Sequence, residues 1–490
     1  MREPVRVNGL ARRPIWYALA SILVLLPCYW QTRIQAGDLS SHVYNAWLAG
    51  LIERGEIHEL QIARQNTNLL FDLILNALFQ WLGPDWAQRI SVSLCVLIFV
   101  WGAFAFVSGV SGRAAWELLP CLAILAYGWT LHMGFFNFYL SLGLCFWSLA
   151  ALRKPTPARV ATGAVLFATA YVALALPVFW AVALIIYEFV AMKIPLRFRA
   201  HLMTGSLAVL LLVHIAVPLR FPSRWSLTQL ASATGADQVL VFDVKYGYIL
   251  AVLTVFWGSC LAELLFAQGG RKVARGIPMH WCVLTAAGIF AVPTSILIPG
   301  YRHALVYIAE RMSLALAVCF CALVGGVPLR GIQRYVPPAL ALVFAVVLFR
   351  DEQHLNKFED RVDAAVAQLP PGQRVVSAIV DSDLRANPLD HMIDRACVGR
   401  CYSYANYEPS TAAFRVRATQ PNPYVISDYG DSYDMQNGRY VFKTGDLPVY
   451  SLSVTASGAI TTHSLAAGEA SGTSTWHVLR NEPGVEPSHQ

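Results

Sequence analysis

The stretch AGDLSSHVYNAWLAGLIERGEIHEL, residues 36 to 60, follows directly on an apolar segment and turns abruptly polar. Apolar residues recur at helical spacing within it: Leu39, Val43, Ala46, Trp47 and Leu51. This spacing favours a helix that lies along a membrane surface. Asp38 stands just before the helix, where its carboxylate can either cap the helix or take part in chemistry. The stretch itself leaves both roles open.

The composition predicts an integral membrane protein. Of 490 residues, 56% are hydrophobic and 14% are charged, and the mean hydropathy is +0.49. A soluble chain carries about 25% charged residues. The net charge is +7, and most of the surplus positive charge lies in short loops between apolar runs. Such loops indicate how the chain is oriented in the membrane, so the charge requires no nucleic-acid partner. The abundance of alanine and arginine favours a bacterial source, and hence the inner (plasma) membrane.

Eleven apolar segments are interpreted as spanning helices, which need roughly 20 residues each. They lie at about 15–32, 90–108, 115–131, 134–152, 160–176, 178–192, 201–219, 246–266, 278–298, 304–325 and 334–349. This count places all the basic segments in the cytoplasm, as the positive-inside rule requires: 1–13, 111–113, 153–159, 193–199, 271–276 and 328–334. The N-terminus is then cytoplasmic, and the loop 33–89 and the tail from residue 350 lie outside.

Two units are expected. Residues 1–349 form a mainly α, multi-pass transmembrane helical bundle, and residues 350–490 have the composition of a soluble, extracytoplasmic α+β domain. One apolar run, residues 66–83, contains Asp72 and Asn76. We predict a surface helix there, because an additional span would reverse every downstream basic loop. A true span with a compensating error elsewhere is the alternative.

The chain resembles the GT-C superfamily of integral-membrane glycosyltransferases, which use polyprenyl-phosphate-linked sugars. The resemblance lies in Asp38 in the loop after the first span, in the surface helices that follow, and in the run WLGPDWAQRI (81–90) leading into the next span. The multi-span body and the external C-terminal domain add to the resemblance. It is a resemblance of architecture and covers residues 14–350. It implies transfer of a sugar from a polyprenyl-phosphate carrier to an extracytoplasmic acceptor, with the lipid-linked donor and membrane lipids as partners.

The resemblance also implies roles for two residues of the opening stretch. Asp38 would be the catalytic carboxylate, either as the base that takes the proton of the acceptor hydroxyl or as a ligand of a divalent cation, Mg²⁺ or Mn²⁺. His42, one helical turn further on, would share that role or orient it.

A lipid-phosphate leaving group requires cations, and the planar fork of arginine matches phosphate oxygens well. Five residues on the predicted outer face are candidates: Arg302, His303, Arg311, Arg64 and Arg89. For Arg311, an ion pair with the adjacent Glu310 or a side chain that reaches to the membrane surface is the alternative to phosphate binding.

Cys397 and Cys401 are the only cysteines of the C-terminal domain, because the other eight of the ten fall in apolar helices. In an oxidising compartment the two can form a disulfide, with free thiols as the alternative.

The sequence has no phosphate-binding Gly-rich loop, zinc signature, nucleophile elbow or internal repeat. This argues against a nucleotide-driven pump and against a cytoplasmic nucleotide-sugar enzyme. Two classes besides the transferase stay open: a transporter or flippase of a lipid-linked or polar solute, and a non-catalytic envelope scaffold. Few charges lie in the middle of the predicted spans, which favours the transferase over the transporter.

Overall fold

A computed structural model of the chain describes residues 14–300, 302–411, 413–480 and 482–483. The basic N-terminal segment 1–13, predicted to be cytoplasmic, lies outside the described residues. The chain is mainly helical, and most of the strands lie in its C-terminal third.

The helices follow the apolar and amphipathic segments of the sequence. The first ten are α1 (Pro14–Leu25), α2 (Leu39–Glu53), α3 (Leu70–Ser111), α4 (Leu119–Ala126), α5 (Trp129–His132), α6 (Phe136–Leu152), α7 (Pro157–Ala173), α8 (Ala175–Lys193), α9 (Arg199–Arg220) and α10 (Thr228–Ser232). The others are α11 (Gly247–Gln268), α12 (Gly270–Ala274), α13 (Ile277–Ala291), α14 (Ile308–Val324), α15 (Val336–Val366), α16 (Leu389–Cys397), α17 (Tyr407–Ser410) and α18 (Tyr429–Gln436).

Several helices have the length and composition of membrane spans. Among the described residues, four are long and apolar enough to cross a membrane: Leu70–Ser111, Ala175–Lys193, Leu196–Arg220 and Val244–Gln268. Four shorter apolar helices accompany them: Pro14–Cys28, Phe136–Leu152, Pro157–Ala173 and Ile277–Ala291. Large apolar side chains are exposed on these helices, with Phe179 66% and Phe266 90% accessible. Such surfaces fit lipid better than water, and the structure therefore supports a membrane protein, while the count of eleven spans stays a prediction.

The predicted span at 115–131 is not one helix. Helix α4 ends at Ala126 and α5 begins at Trp129, with extended backbone at Gly128 between them. The buried Gln238 side chain accepts hydrogen bonds from the N–H and hydroxyl of Thr130, at 3.1 and 2.7 Å. A Cβ at Gly128 would lie 2.8 Å from the Gln238 carbonyl oxygen. The inserted Gln238 loop therefore explains the break.

Helix α3 joins the predicted surface helix 66–83 to the predicted span 90–108. It is kinked at Gly83, whose φ of 75° and ψ of 175° are not helical, and Pro84 follows at once. A proline removes a helical hydrogen bond and is a common cause of such kinks. The two parts of α3 can therefore run in different directions.

Helix α15 continues without a break across the predicted domain boundary at 349/350. Beyond the boundary its acidic side chains bind distant parts of the chain. The indole N–H of Trp30 donates to Glu352 at 2.5 Å, and the guanidinium of Arg395 binds both oxygens of Glu359, at 2.7 and 2.8 Å. These contacts hold the end of the first apolar segment and α16 against α15.

The strands are short. They are β1 (Leu60–Ile62), β2 (Ser223–Arg224), β3 (Ser295–Ile296), β4 (Leu305–Val306), β5 (Arg374–Ser377), β6 (Ile379–Val380), β7 (Tyr402–Ser403), β8 (Val416–Ala418), β9 (Val449–Val454), β10 (Ile460–Ser464), β11 (Ser474–His477) and β12 (Glu482–Pro483). Four sheets result, with the orders β10-β9-β5-β7, β12-β11-β6, β2-β3-β4 and β1-β8. In the last, Leu60 pairs with Ala418 and Ile62 with Val416, antiparallel. The first outer loop and the C-terminal segment therefore share a sheet.

One hydrophobic core runs from the apolar helices into the C-terminal segment, where it includes Leu355, Val375 and Met392. A second, smaller core lies wholly within the C-terminal segment, and its members include Val376, Met435 and Phe442. The C-terminal segment thus has a core of its own and is also packed onto the helical body.

Candidate functional site

A cavity of about 910 Å³ lies between the helical body and the C-terminal segment. Five residues predicted from the sequence line it: Asp38, His42, Arg64, His303 and Arg311. The C-terminal segment adds charged and aromatic side chains, namely His391, Tyr407, Phe414, Arg417, Tyr429 and Tyr433. The volume of the cavity is within the range of sites for small molecules, about 300 to 1,000 Å³.

Asp38 is positioned by backbone contacts with the loop after α5. The N–H of Gly37 donates to the carbonyl of His132 at 2.7 Å. The N–H of Asp38 donates to the carbonyl of Met133 at 3.2 Å. Gly134, with φ +86°, lies so close that a Cβ there would be 2.5 Å from the Asp38 nitrogen. Asp38 is the residue before α2, yet its side chain makes no capping hydrogen bond. Its carboxylate instead faces the cavity and is 25% exposed.

His391 on α16 is the titratable neighbour of Asp38. Its Nε2 atom lies 3.8 Å from Asp38 Oδ1, and its Nδ1–H donates to Asp394 Oδ2 at 2.9 Å. Ser403 donates its hydroxyl to the other oxygen of Asp394, which is 1% exposed. Burial opposes protonation of His391, but the hydrogen bond and charge of Asp394, with Asp38, raise its pKa to about 9. The imidazole is therefore a cation at neutral pH.

His42, which also lines the cavity, belongs to a second, largely buried cluster of charged side chains. Its Nδ1–H donates to Asp72 at 2.8 Å, and the Glu408 carboxylate lies 3.7 Å away. Asn137 donates its amide to the other oxygen of Asp72 at 2.8 Å. Despite burial, the charges of Asp72 and Glu408 raise the pKa of His42 to about 10, whereas burial raises that of Glu408 to about 7. His42 thus holds Asp72, and with it α3 and α6, in place.

Arg311 extends into the cavity over an aromatic ring. Its guanidinium carbon lies 3.6 Å from the centroid of Phe135, and Nη2 donates to the Val306 carbonyl at 3.0 Å. Its Nε–H has no partner among the described residues, so a donor remains for a ligand. Glu310 does not pair with it, because that carboxylate accepts from Thr228 and Thr294 instead. The alternative of an Arg311–Glu310 ion pair is therefore not supported by the described contacts.

His303 stands beside Arg311 in the cavity, packed against the ring of Tyr429 with centroids 5.4 Å apart. Burial and the charge of Arg311 lower its pKa, so the imidazole is neutral at pH 7. A neutral imidazole can donate one hydrogen bond and accept another. His303 therefore suits a polar group of a ligand rather than charge neutralisation.

Two of the predicted arginines lie elsewhere. Arg89 donates to the carbonyls of Gln31 and Thr32, at 3.1 and 2.6 Å, and thereby fixes the end of the first apolar segment. Arg302 is exposed and reaches the carbonyl of Ser427 at 3.3 Å. The structure assigns both side chains structural contacts outside the cavity.

Backbone strain is concentrated at this cavity. Asn68 and Tyr307 are the two non-glycine residues with positive φ in the described chain, at 57° and 58°, and both line the cavity. This conformation costs about 1–3 kcal/mol and is common at functional sites. The surrounding contacts hold both residues in place despite that cost.

The donor set at Asp38 does not fit a resident divalent cation. Mg²⁺ and Mn²⁺ prefer several oxygen ligands, whereas the one described charged group within 4 Å of Asp38 is the protonated His391. Among the described residues, Asp381, Asp383 and His477 form the one group of three side chains spaced to hold a metal, and they lie outside the cavity.

Cys397 and Cys401 form a disulfide at the end of α16, which decides between the two alternatives left by the sequence. The same helix supplies His391, Asp394 and Arg395, which were not predicted as site residues. The spacing of His391 and Asp394, three residues apart on a helix, places them on one face. That spacing is the signal that could have identified them.

Comparisons with known proteins give no relative: no family model, no curated protein and no solved structure matches the chain.

Proposed function

We propose that the chain is a membrane glycosyltransferase of the GT-C type, which moves a sugar from a polyprenyl-phosphate carrier to an extracytoplasmic acceptor. The observation that carries the proposal is the meeting of one carboxylate, Asp38, with the cations Arg64, Arg311 and Arg417 in a single cavity. Sugar transfer from a lipid phosphate requires a base for the acceptor and positive charge for the leaving group.

In the proposed reaction, Asp38 takes the proton from the acceptor hydroxyl as its oxygen attacks the anomeric carbon of the donor. The new glycosidic C–O bond forms while the bond from that carbon to the phosphate oxygen breaks. The electron pair leaves with polyprenyl phosphate. Arg311 binds the phosphate with its planar donors, and Arg64 and Arg417 add positive charge.

An apolar groove continues from the cavity along the helices and suits the polyprenyl chain. It has a volume of about 620 Å³ and runs between α8, α9, α13 and α14. Leu176, Phe179 and Ile308 line both the groove and the cavity. A lipid with its phosphate at Arg311 would therefore keep its tail in apolar surroundings.

The predicted topology is part of the proposal: eleven spans in a bacterial inner membrane, a cytoplasmic N-terminus and an external C-terminal domain. The cavity residues support it, since they come from segments that this topology places outside or at the outer ends of spans. These segments are 38–42, 64–68, 133–138, 171–179, 296–311 and 391–436. The site then opens on the side where a lipid-linked sugar and an envelope acceptor meet.

The test is a transfer assay with the full chain in liposomes. A panel of radiolabelled polyprenyl-phosphate sugars is supplied together with an envelope extract as the source of acceptors. We expect label to move from the lipid phase to an acceptor with at least one donor. If no donor is consumed by a correctly folded chain, the transferase proposal is wrong and the transporter and scaffold classes take precedence.

A further inference from the structure

We infer that His391 is a positioning residue of the active site, which orients the carboxylate of Asp38 through an ion pair and is itself held by Asp394. The inference rests on the proposed function for the role of Asp38. It adds a residue of the C-terminal segment to the machinery.

The geometry defines a chain of contacts that ends at Asp38. Asp394 Oδ2 accepts from Nδ1 of His391 at 2.9 Å, which leaves Nε2–H of the imidazolium directed to Asp38 at 3.8 Å. Ser403 holds the far oxygen of Asp394. The ring of Tyr407 packs beside the imidazole, with centroids 5.2 Å apart. The imidazole therefore has little freedom to turn away.

Asp38 needs such a partner because its carboxylate makes no hydrogen bond with the described residues, and His391 is the one described cation within 4 Å of it. Its backbone is bonded to the loop after α5, but its side chain makes no capping bond to α2. A base that must meet an acceptor hydroxyl at about 3 Å loses activity steeply when it is misplaced. The imidazolium restricts the carboxylate to one direction.

The helix that carries His391, α16, is itself fixed by contacts with α15 and α3. Helix α16 is clamped to α15 because Arg395 forms two hydrogen bonds with the buried Glu359. Gln88 on α3 accepts a further bond from Arg395 at 2.7 Å. The position of Nε2 is thus set by two long helices.

The charges that face His391 come from two elements. Asp390 and Asp394 lie on its own helix and Asp38 lies before α2, and all three favour the protonated imidazole against burial. Removing the charge of Asp38 should consequently lower the pKa of His391, which gives a readout that needs no substrate.

The experiment is the pH titration of histidines in the full chain in detergent, labelled with ¹³C-histidine and observed by NMR. The His391 resonance is assigned as the one lost in His391→Gln. We expect its midpoint, near pH 9 in the wild type, to fall by about one unit in Asp38→Asn. An unchanged midpoint would overturn the inference, whether or not the chain transfers sugar.

Kinetics supply the second arm. We expect His391→Gln to lower kcat by about 10- to 100-fold, and to add little to the loss in the double variant with Asp38→Asn. The wild type should lose activity above about pH 9, and His391→Gln should lack that alkaline limb. His463→Gln, which removes an exposed histidine of β10, is the matched control.

The two failures can be told apart. If Asp38→Asn abolishes transfer while His391→Gln keeps the wild-type rate and pH profile, the positioning role is wrong and the transferase stands. If Asp38→Asn transfers sugar normally, the proposed function fails, and the NMR titration still decides whether the two residues are coupled. If His391→Gln does not fold, Asp394→Asn takes its place. This variant loses the carboxylate that orients the His391 imidazole, so we expect it to lower kcat as His391→Gln does.

Discussion

The guanidinium of Arg311 lies over the ring of Phe135, 3.6 Å from its centroid, at the edge of the cavity that holds Asp38. This contact depends on the flat shape of the group as well as on its charge. We therefore predict that Arg311→Lys lowers kcat/KM for the lipid-phosphate donor by about 100-fold, although the charge is retained.

Phe135→Leu, which removes the ring and leaves Arg311, should cause a smaller loss. Arg439→Lys is the control, since Arg439 is exposed in the C-terminal segment and pairs with Asp434. Steady-state kinetics with donor as the varied substrate measures all three variants. Full activity of Arg311→Lys would show that a charge alone suffices.

Gly134 is predicted to determine the position of Asp38. A methyl group there would lie 2.5 Å from the Asp38 nitrogen, and the φ of +86° is itself unfavourable for alanine. Gly134→Ala should lower the free energy of unfolding by about 1–3 kcal/mol and reduce transfer by about 100-fold. Gly258→Ala, inside α11 with no atom near the new methyl group, should leave transfer unchanged and should not lower the free energy of unfolding, because alanine is the better helix former. Thermal unfolding and the transfer assay measure the pair.

The His42 cluster makes stability depend on pH. Its pKa is raised from 6.5 to about 10 by Asp72 and Glu408 against the effect of burial. The stabilisation is therefore fully present below about pH 6.5 and is lost as the pH rises through 10. We predict that His42→Gln unfolds at a lower temperature than the wild type at pH 6.5, and that the difference shrinks towards pH 10. A difference that is constant with pH would contradict this account.

The predicted topology can be tested by labelling from outside with a membrane-impermeant maleimide. The eight free native cysteines are buried, so background labelling is expected to be low. Arg302→Cys, exposed in a predicted outer loop, should be labelled in intact cells, whereas Arg271→Cys should react only after lysis. Labelling of Arg271→Cys in intact cells would show that the predicted orientation is wrong.

Some residues of the candidate site could be predicted because they stand out from their immediate neighbours in the sequence. Asp38 follows an apolar segment, and Arg311 stands in an apolar helix, so both are conspicuous within a few residues. The strands β5, β6 and β9 likewise lie in stretches rich in valine, RVVSAIVD and VYSLSV. Local patterns of hydrophobicity and charge were sufficient for these features.

The rest depends on contacts between distant segments. His391 reaches Asp38 only because α15 continues past residue 349 and binds Arg395 of α16 through Glu359. Asp72, predicted to lie in a surface helix, is instead half-buried and hydrogen-bonded to His42. Nothing in the linear pattern encodes such pairings, since an ion pair can join any two oppositely charged side chains of the chain.

The central claim is that Asp38 is the base for sugar transfer, and the most direct measurement is the initial rate of transfer by Asp38→Asn at matched expression and folding. Asp85→Asn, an exposed carboxylate of the same predicted outer loop, is the control for loss of one charge. We predict a loss of about 100- to 10,000-fold for Asp38→Asn and a wild-type rate for Asp85→Asn. A wild-type rate for Asp38→Asn would contradict it.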